Sequence, residues 1–228
     1  MDEFSFVVKD AWRAAWPGAA VGVLVMRGVN NPPRHPALDE MKAAVEADLR
    51  RCFAGMDRPA LRASPRIAAY DAYYRRFDKT YHVLLQLESL VHKGKDIPSV
   101  VALVECMFMA ELKNQMLTAG HDLAAIRPPV RLDVAVEGET MLRSDGRECA
   151  LKAGDMLMAD TEGVMTAVLH GADGRTRLMP ATTDAFFAVY APPGVGEEAV
   201  HAHLLDIRDY VRLVSPDAEV ERLEVHVA

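Results

Sequence analysis

Two histidines stand next to chain breaks where an imidazole could meet a ligand. His170 precedes Gly171 at the end of an expected strand, and His121 follows Gly120 and precedes Asp122. A neutral imidazole exchanges a proton near physiological pH, so either is a candidate general base. Gly171 allows a ligand to approach the backbone closely. Structural or surface roles compete for both histidines. His201 and His203 lie two apart on an expected helix and point in different directions, so both are read as solvated surface rather than as a metal pair. Cys52, Cys106 and Cys149 are far apart and match no metal spacing; neither a metal nor a cofactor is expected. The chain has no P-loop, G-x-G-x-x-G, His-Glu-x-x-His or Cys-x-x-Cys motif.

The other charged candidates are carboxylates and arginines. Glu105 and Glu111 are six apart on an apolar helix, the wrong spacing for a carboxylate pair. A buried carboxylate needs a partner, and Glu105 is read either as structural, held by an arginine or by helix-end hydrogen bonds, or as lining a pocket. Arg66, Arg75 and Arg76 accompany Tyr70, Tyr73 and Tyr74, the combination of cations and rings on which single-stranded RNA is held. The competing reading is a helix with core tyrosines and a solvated basic side.

These residues must be positioned by a chain of 228 residues, half of them apolar and 26% charged, an ordinary composition for a globular protein. The N-terminus MDEFSFVVKD has no basic region followed by an apolar run, and no apolar run reaches membrane-span length. Three reduced thiols and no membrane partner point to the cytoplasm. The net charge of −7 is unfavourable for nucleic acid in general, but residues 50–95 hold ten Lys/Arg against four Asp/Glu, a local +6 that leaves −13 elsewhere.

The organising element is Lys93–Asp122. After the Gly94–Pro98 break, Ser99 is expected to cap a helix whose apolar residues cover almost every side, which makes it a central helix wrapped by the others. Before it come strands over Phe4–Val8 and Ala19–Val25, and helices over Ala11–Trp16, Leu38–Phe53, Ser64–Phe77 and Tyr81–His92. After Pro128-Pro129, short runs separated by Gly and Asp turns indicate antiparallel strands: 130–136, 140–143, 149–151, 156–160, 164–170, 175–179 and 185–190. A helix over Glu197–Leu213 and a strand over Val220–Val227 close the chain. Helices first and strands later give an α+β class, helices around a buried central helix on an antiparallel or mixed sheet. It is read as one domain over 1–228, helix-rich to about 127 and strand-rich from about 128.

The series Lys93-Gly94-Lys95-Asp96-Ile97-Pro98, buried helix, Asp122-Leu123, Arg131, Gly138-Glu139, Gly154-Asp155 and Ala159-Asp160 resembles the B3/B4 domain of the phenylalanyl-tRNA synthetase β subunit and its free-standing relatives. It spans about Ile67 to Pro192. The resemblance implies a site that hydrolyses mischarged aminoacyl-tRNA, in a pocket between the segment after the buried helix and a glycine-rich strand-turn. Ala119 stands where the synthetase pattern has a histidine, and Arg175 stands near the place of its glutamate. Tyr81, Val83 and Leu85 replace the Arg, Ser and Glu usual in the free-standing relatives. Glu105 keeps the acid of the buried helix, and Phe108 replaces its amide. The expected pocket therefore includes Glu105, Phe108, Ala119, Gly171 and Arg175, with His170 or His121 as base and Arg66, Arg75 and Arg76 for tRNA. The alternatives are a non-catalytic module binding a small amino-acid-like ligand, and an interaction domain with a vestigial pocket.

Overall fold

The structure is a computed structural model that describes residues 4–228. The first part of the chain runs β1 (Phe6–Val8), α1 (Asp10–Ala15), β2 (Ala20–Arg27), α2 (Pro36–Cys52), α3 (Arg58–Arg62), α4 (Pro65–Arg75), α5 (His82–Lys93), α6 (Ala102–Asn114) and β3 (Leu117–Asp122). The second runs β4 (Val130–Val134), β5 (Thr140–Leu142), β6 (Glu148–Ala150), β7 (Met156–Ala159), β8 (Val164–Ala167), β9 (Gly171–Ala172), β10 (Asp184–Ala191), α7 (Glu197–Val214) and β11 (Glu219–Val227). The class is α+β. Among the described residues no helix is long and apolar enough to cross a membrane.

Two sheets carry the architecture. A four-stranded antiparallel sheet has the order β11-β2-β10-β3, taking two strands from each part of the chain. A five-stranded sheet has the order β1-β4-β7-β8-β9, with β1 parallel to β4 and the rest antiparallel. Helices α6 and α7 pack on each other, on β3 and on β2 respectively. The seating of α7 depends on Gly22 in the middle of β2. A Cβ there would lie 2.6 Å from Val200 Cγ1 and 3.0 Å from Leu204 Cδ1, so the helix occupies the space a side chain would need. Gly22→Ala is expected to cost about 1–3 kcal/mol in urea unfolding, the range for overpacking a filled core. An unchanged midpoint would show that α7 is free to move off β2.

The central helix differs from expectation on one side. Leu103, Cys106, Met109 and Ala110 are fully buried, but Val104, Met107 and Phe108 are only half-buried and Val100 is 46% exposed. Its apolar fourth side faces an open cavity rather than another element. Ser99 is not its cap. The Ala102 N–H donates to Pro32 O and the Leu103 N–H to Asn31 Oδ1, both from the loop after β2, while Ser99 Oγ accepts from Lys42 Nζ. Helix α3 was not expected, although Asp57 caps it by accepting from Ala60 N. Strand β3 was hidden by its glycine, and 175–179 forms only an isolated bridge between His121 and Arg177.

Candidate functional site

The chain reverses between α6 and β3 at Gln115, whose backbone is left-handed with φ 57°. The reversal lays β3 back along the helix and brings Thr118 N–H to 2.7 Å from Glu111 Oε1. β3 is an edge strand. Tyr70 Oη accepts from Leu117 N at 3.0 Å and donates to Tyr190 O at 2.6 Å, so a hydroxyl stands inside the last rung of the β3–β10 ladder. Beyond that rung β3 borders a cavity of about 520 Å³, within the roughly 300–1,000 Å³ usual for small-molecule sites.

Helix α6 supplies the apolar wall through Val104, Met107 and Phe108, with Leu178 opposite. Gly120 lets Leu178 close against the strand, since a Cβ there would lie 2.7 Å from Leu178 Cδ1. The same helical stripe ends in Glu111, 2% exposed. Burial, opposed only by the Thr118 N–H, pushes its pKa up to about 8. Among the described residues no cation pairs with Glu111 and no protein donor reaches its Oε2, which is not shut into the core. The position adds to the effect, because a carboxylate in the last turn of a helix faces the negative end of the helix dipole.

The polar side of the cavity holds two imidazoles. Burial lowers the pKa of His82, and burial together with Lys79, Arg143 and Lys152 lowers that of His170, so both are neutral near pH 7. His82 Nδ1 is 3.3 Å from Tyr74 Oη, and His170 Nδ1 is 3.7 Å from Cys149 Sγ. The buried Tyr190 Oη, near Thr166, completes no hydrogen bond of normal geometry. Arg177 lies exposed at the rim without a carboxylate partner among the described residues. In an antiparallel ladder, bonding directions alternate along the strand. Thr118 N–H and Asp122 N–H turn outward, to Glu111 and to Thr176 O, and the Gly120 N–H between them turns the same way, away from β10.

Of the residues singled out from sequence, the cavity brings together Phe108, Ala119, His170 and Gly171. It excludes three. Glu105 points to the other side of α6, where its Oε2 is 2.7 Å from Lys42 Nζ and its Oε1 accepts from Val100 N. His121 is fully buried, its ring stacked 5.7 Å from Phe186 and its Nδ1 2.7 Å from Thr176 Oγ1. Burial, reinforced by Arg175 and opposed by Asp160, lowers its pKa to about 3, so it is not a base near neutral pH. Arg175 makes a two-pronged pair with Asp160 at 2.8 and 2.9 Å. The presumed RNA face is also committed elsewhere. Tyr70, Tyr73 and Tyr74 are buried, Arg66 donates to Asn114 O, Arg75 pairs with Asp71, and Arg76 lies 4.6 Å over the Trp16 ring. Arg75 and Arg76 remain exposed on their outer sides.

The sequence reading missed Glu111, Thr118, His82 and Arg177. A usable signal existed for Glu111: Val104, Met107, Phe108 and Glu111 follow the i, i+3, i+4, i+7 pattern of a single helix face.

Glu111 gives the protein a measurable pH signature. A carboxyl whose folded pKa lies above its unfolded value stabilises the native state below the unfolded pKa, and that stability is lost as pH rises through the folded pKa. Asp155, raised to about 7 by burial, acts in the same sense. Buried His121 and His203, held near 3, act oppositely, but only below the unfolded histidine pKa. The window free of them is therefore about pH 7 to 8, where Glu111 contributes a loss of about 1 kcal/mol. Thermal unfolding of wild type should weaken across that window, and Glu111→Gln should flatten the decline. Parallel slopes for the two proteins would remove Glu111 as its source.

Comparison with known proteins bears on this arrangement. No family model matches the chain. It is 36% identical over 69 residues to the phenylalanine–tRNA ligase beta subunit of Mycoplasma pneumoniae, a match covering 30% of this chain and 9% of that subunit. The chain is similar to the phenylalanyl-tRNA synthetase β subunit. A crystal structure of an N-terminal fragment of the β subunit from Pyrococcus horikoshii aligns at TM-score 0.49 and 12% identity, covering 99% of this chain and 51% of the fragment. The chain thus spans about half the length of the solved fragment and a small part of the curated subunit.

Proposed function

We propose that the cavity binds a small amino-acid-like ligand, with Glu111 receiving its ammonium group. The observation that carries this reading is a buried carboxyl with no cation, open on one oxygen to a cavity with an apolar wall. In the free protein a proton offsets the cost of burying Glu111, and a cation arriving with the ligand takes that proton's place. The wall of Val104, Met107, Phe108 and Leu178 suits an apolar side chain. Arg177 at the rim suits the carboxylate or phosphate end. The similarity to a phenylalanine–tRNA ligase subunit supports an amino acid, free or carried as an aminoacyl ester.

Thermal shift with a panel of L-amino acids and their methyl esters near pH 8 tests this. A ligand that binds only the folded state raises the midpoint in proportion to RT ln(1 + [L]/Kd). No shift with any member at millimolar concentration rejects the reading.

A second reading, deacylation of mischarged aminoacyl-tRNA, rests on His170 at the cavity wall and on the Gly120 N–H. Water would attack the ester carbon while the neutral imidazole takes its proton, and the amide N–H would stabilise the oxyanion. The imidazolium then returns the proton to the leaving ribose oxygen, giving free amino acid and free tRNA. Ala119 and Arg175 replace the side chains of the synthetase pattern, which is why binding comes first. Incubation with mischarged tRNAs separates the two, since loss of ester dependent on His170 supports hydrolysis and an undiminished ester opposes it.

A further inference from the structure

Behind Thr118 a chain of polar groups runs from the buried His203 out to Lys113 at the surface, and the cavity alone does not explain it. Lys113 Nζ lies 2.7 Å from Asp206 Oδ1, and Asn114 Nδ2 donates to Asp206 Oδ2 at 2.7 Å. A lysine-paired carboxylate only accepts, so it is the amide nitrogen of Asn114 that faces Asp206. The same nitrogen lies 3.1 Å from His203 Nδ1. His203 is fully buried, and burial, with Arg66 and Lys113 opposing the attraction of Asp206, lowers its pKa to about 3. It is therefore neutral. A neutral imidazole that meets a donor at Nδ1 accepts there and carries its hydrogen on Nε2. His203 Nε2 is 2.7 Å from Thr118 Oγ1, so the hydroxyl is the acceptor of that bond.

The hydroxyl hydrogen of Thr118 is left over. Among the described residues Thr118 Oγ1 makes no second hydrogen bond, and Thr118 is one of the residues that line the cavity beside Glu111, whose Oε1 is bonded to the Thr118 backbone N–H. A ligand held at Glu111 thus meets a hydroxyl whose lone-pair side is already engaged.

We infer that Asn114 and His203 are positioning residues that fix Thr118 as a hydrogen-bond donor to an acceptor oxygen of the ligand, adjacent to the amine held by Glu111. This rests on the amino-acid reading and narrows it to molecules with an amine and a carbonyl or carboxyl oxygen on neighbouring carbons: α-amino acids, their esters and their amides. Simple amines lack the second contact.

Calorimetric titration near pH 6.5, where both amines are largely protonated, with L-phenylalanine methyl ester and with phenethylamine tests it. The two probes share ring and amine and differ in the carbonyl. Wild type is expected to prefer the ester roughly tenfold, the scale of one hydrogen bond to a buried donor. Thr118→Val should lower affinity for the ester to that for phenethylamine and leave phenethylamine unchanged. Thr118→Ser keeps the hydroxyl and should keep the preference. In His203→Gln an amide N–H can replace the Nε2 donor, and a preference retained there but lost in His203→Leu supports the positioning role. A merely structural role would change both probes alike. If Thr118→Val weakens both equally, or neither, the inference is overturned while the amine site at Glu111 stands. If wild type binds neither probe, the amino-acid reading falls and this falls with it. Should Thr118→Val fail to fold by circular dichroism, the Ser and Gln variants decide between the same outcomes.

Discussion

Glu111→Gln is expected to lower affinity for an amine-bearing ligand about 100-fold near pH 8, which corresponds to ~3 kcal/mol. The glutamine keeps an acceptor for Thr118 N–H and nearly the same volume, so the change isolates the charge. The pH dependence follows from the raised pKa. Below about pH 8 the free protein holds a proton on Glu111, and a cationic ligand must displace it. Affinity should therefore rise as pH rises toward 8, with proton release on binding, until the ligand's own amine begins to deprotonate. The other titratable groups facing Glu111 do not imitate this. His82, His170 and His203 are already neutral there, and burial raises the hydroxyls of Tyr70, Tyr74 and Tyr81 out of the range. Titrations in two buffers of different ionisation enthalpy count the released proton. Identical affinity for wild type and Glu111→Gln would place the amine elsewhere.

The second large effect is on stability, on the far side of the same helix. Lys42 is 7% exposed, its Nζ 2.7 Å from Glu105 Oε2 and 2.8 Å from Ser99 Oγ. Lys42→Met fills the space but leaves Glu105 buried without a cation, which costs about 3–5 kcal/mol. For a protein of this size that is roughly a 10 °C fall in the unfolding midpoint. Glu105→Gln in the Lys42→Met background should recover much of the loss, and a double-mutant cycle measures the coupling. A midpoint for Lys42→Met within about 1 °C of wild type would mean that water, rather than lysine, satisfies Glu105.

These two glutamates show how far the sequence could be read. The pattern of apolar residues placed α2, α4, α5, α6 and α7 close to their observed bounds, because amphipathic spacing and turn chemistry are local properties. The resemblance drew attention to the segment after α6 and to the glycine-rich turn, and Ala119, His170 and Gly171 do line one cavity with Phe108. What stayed hidden was which way α6 faces. Glu105 and Glu111 lie on different sides of it, and only the packing of α2 against one side and β3 against the other separates a paired carboxylate from an open one. Lys42 is 63 positions from Glu105, and Thr118 is 85 from His203. Partners that far apart in the chain leave no spacing to detect. The arginines and tyrosines of α4 could not be sorted from sequence for a related reason. Their composition suits RNA, but Tyr73 is spent on Asp155 and Arg75 on Asp71, within the fold.

The covering of β3 has a consequence for how the molecule behaves in a crowd. An uncovered sheet edge is a template onto which another chain can add a strand. Here Glu111 takes Thr118 N–H and Thr176 takes Asp122 N–H, leaving too short a free length for a neighbour to register against. The opposite edge, β11, carries Glu219, Glu221, Arg222 and Glu224. Neither border of the four-stranded sheet invites polymerisation. Beside Gly120 the bridge between His121 and Arg177 leaves no room for an added extended strand.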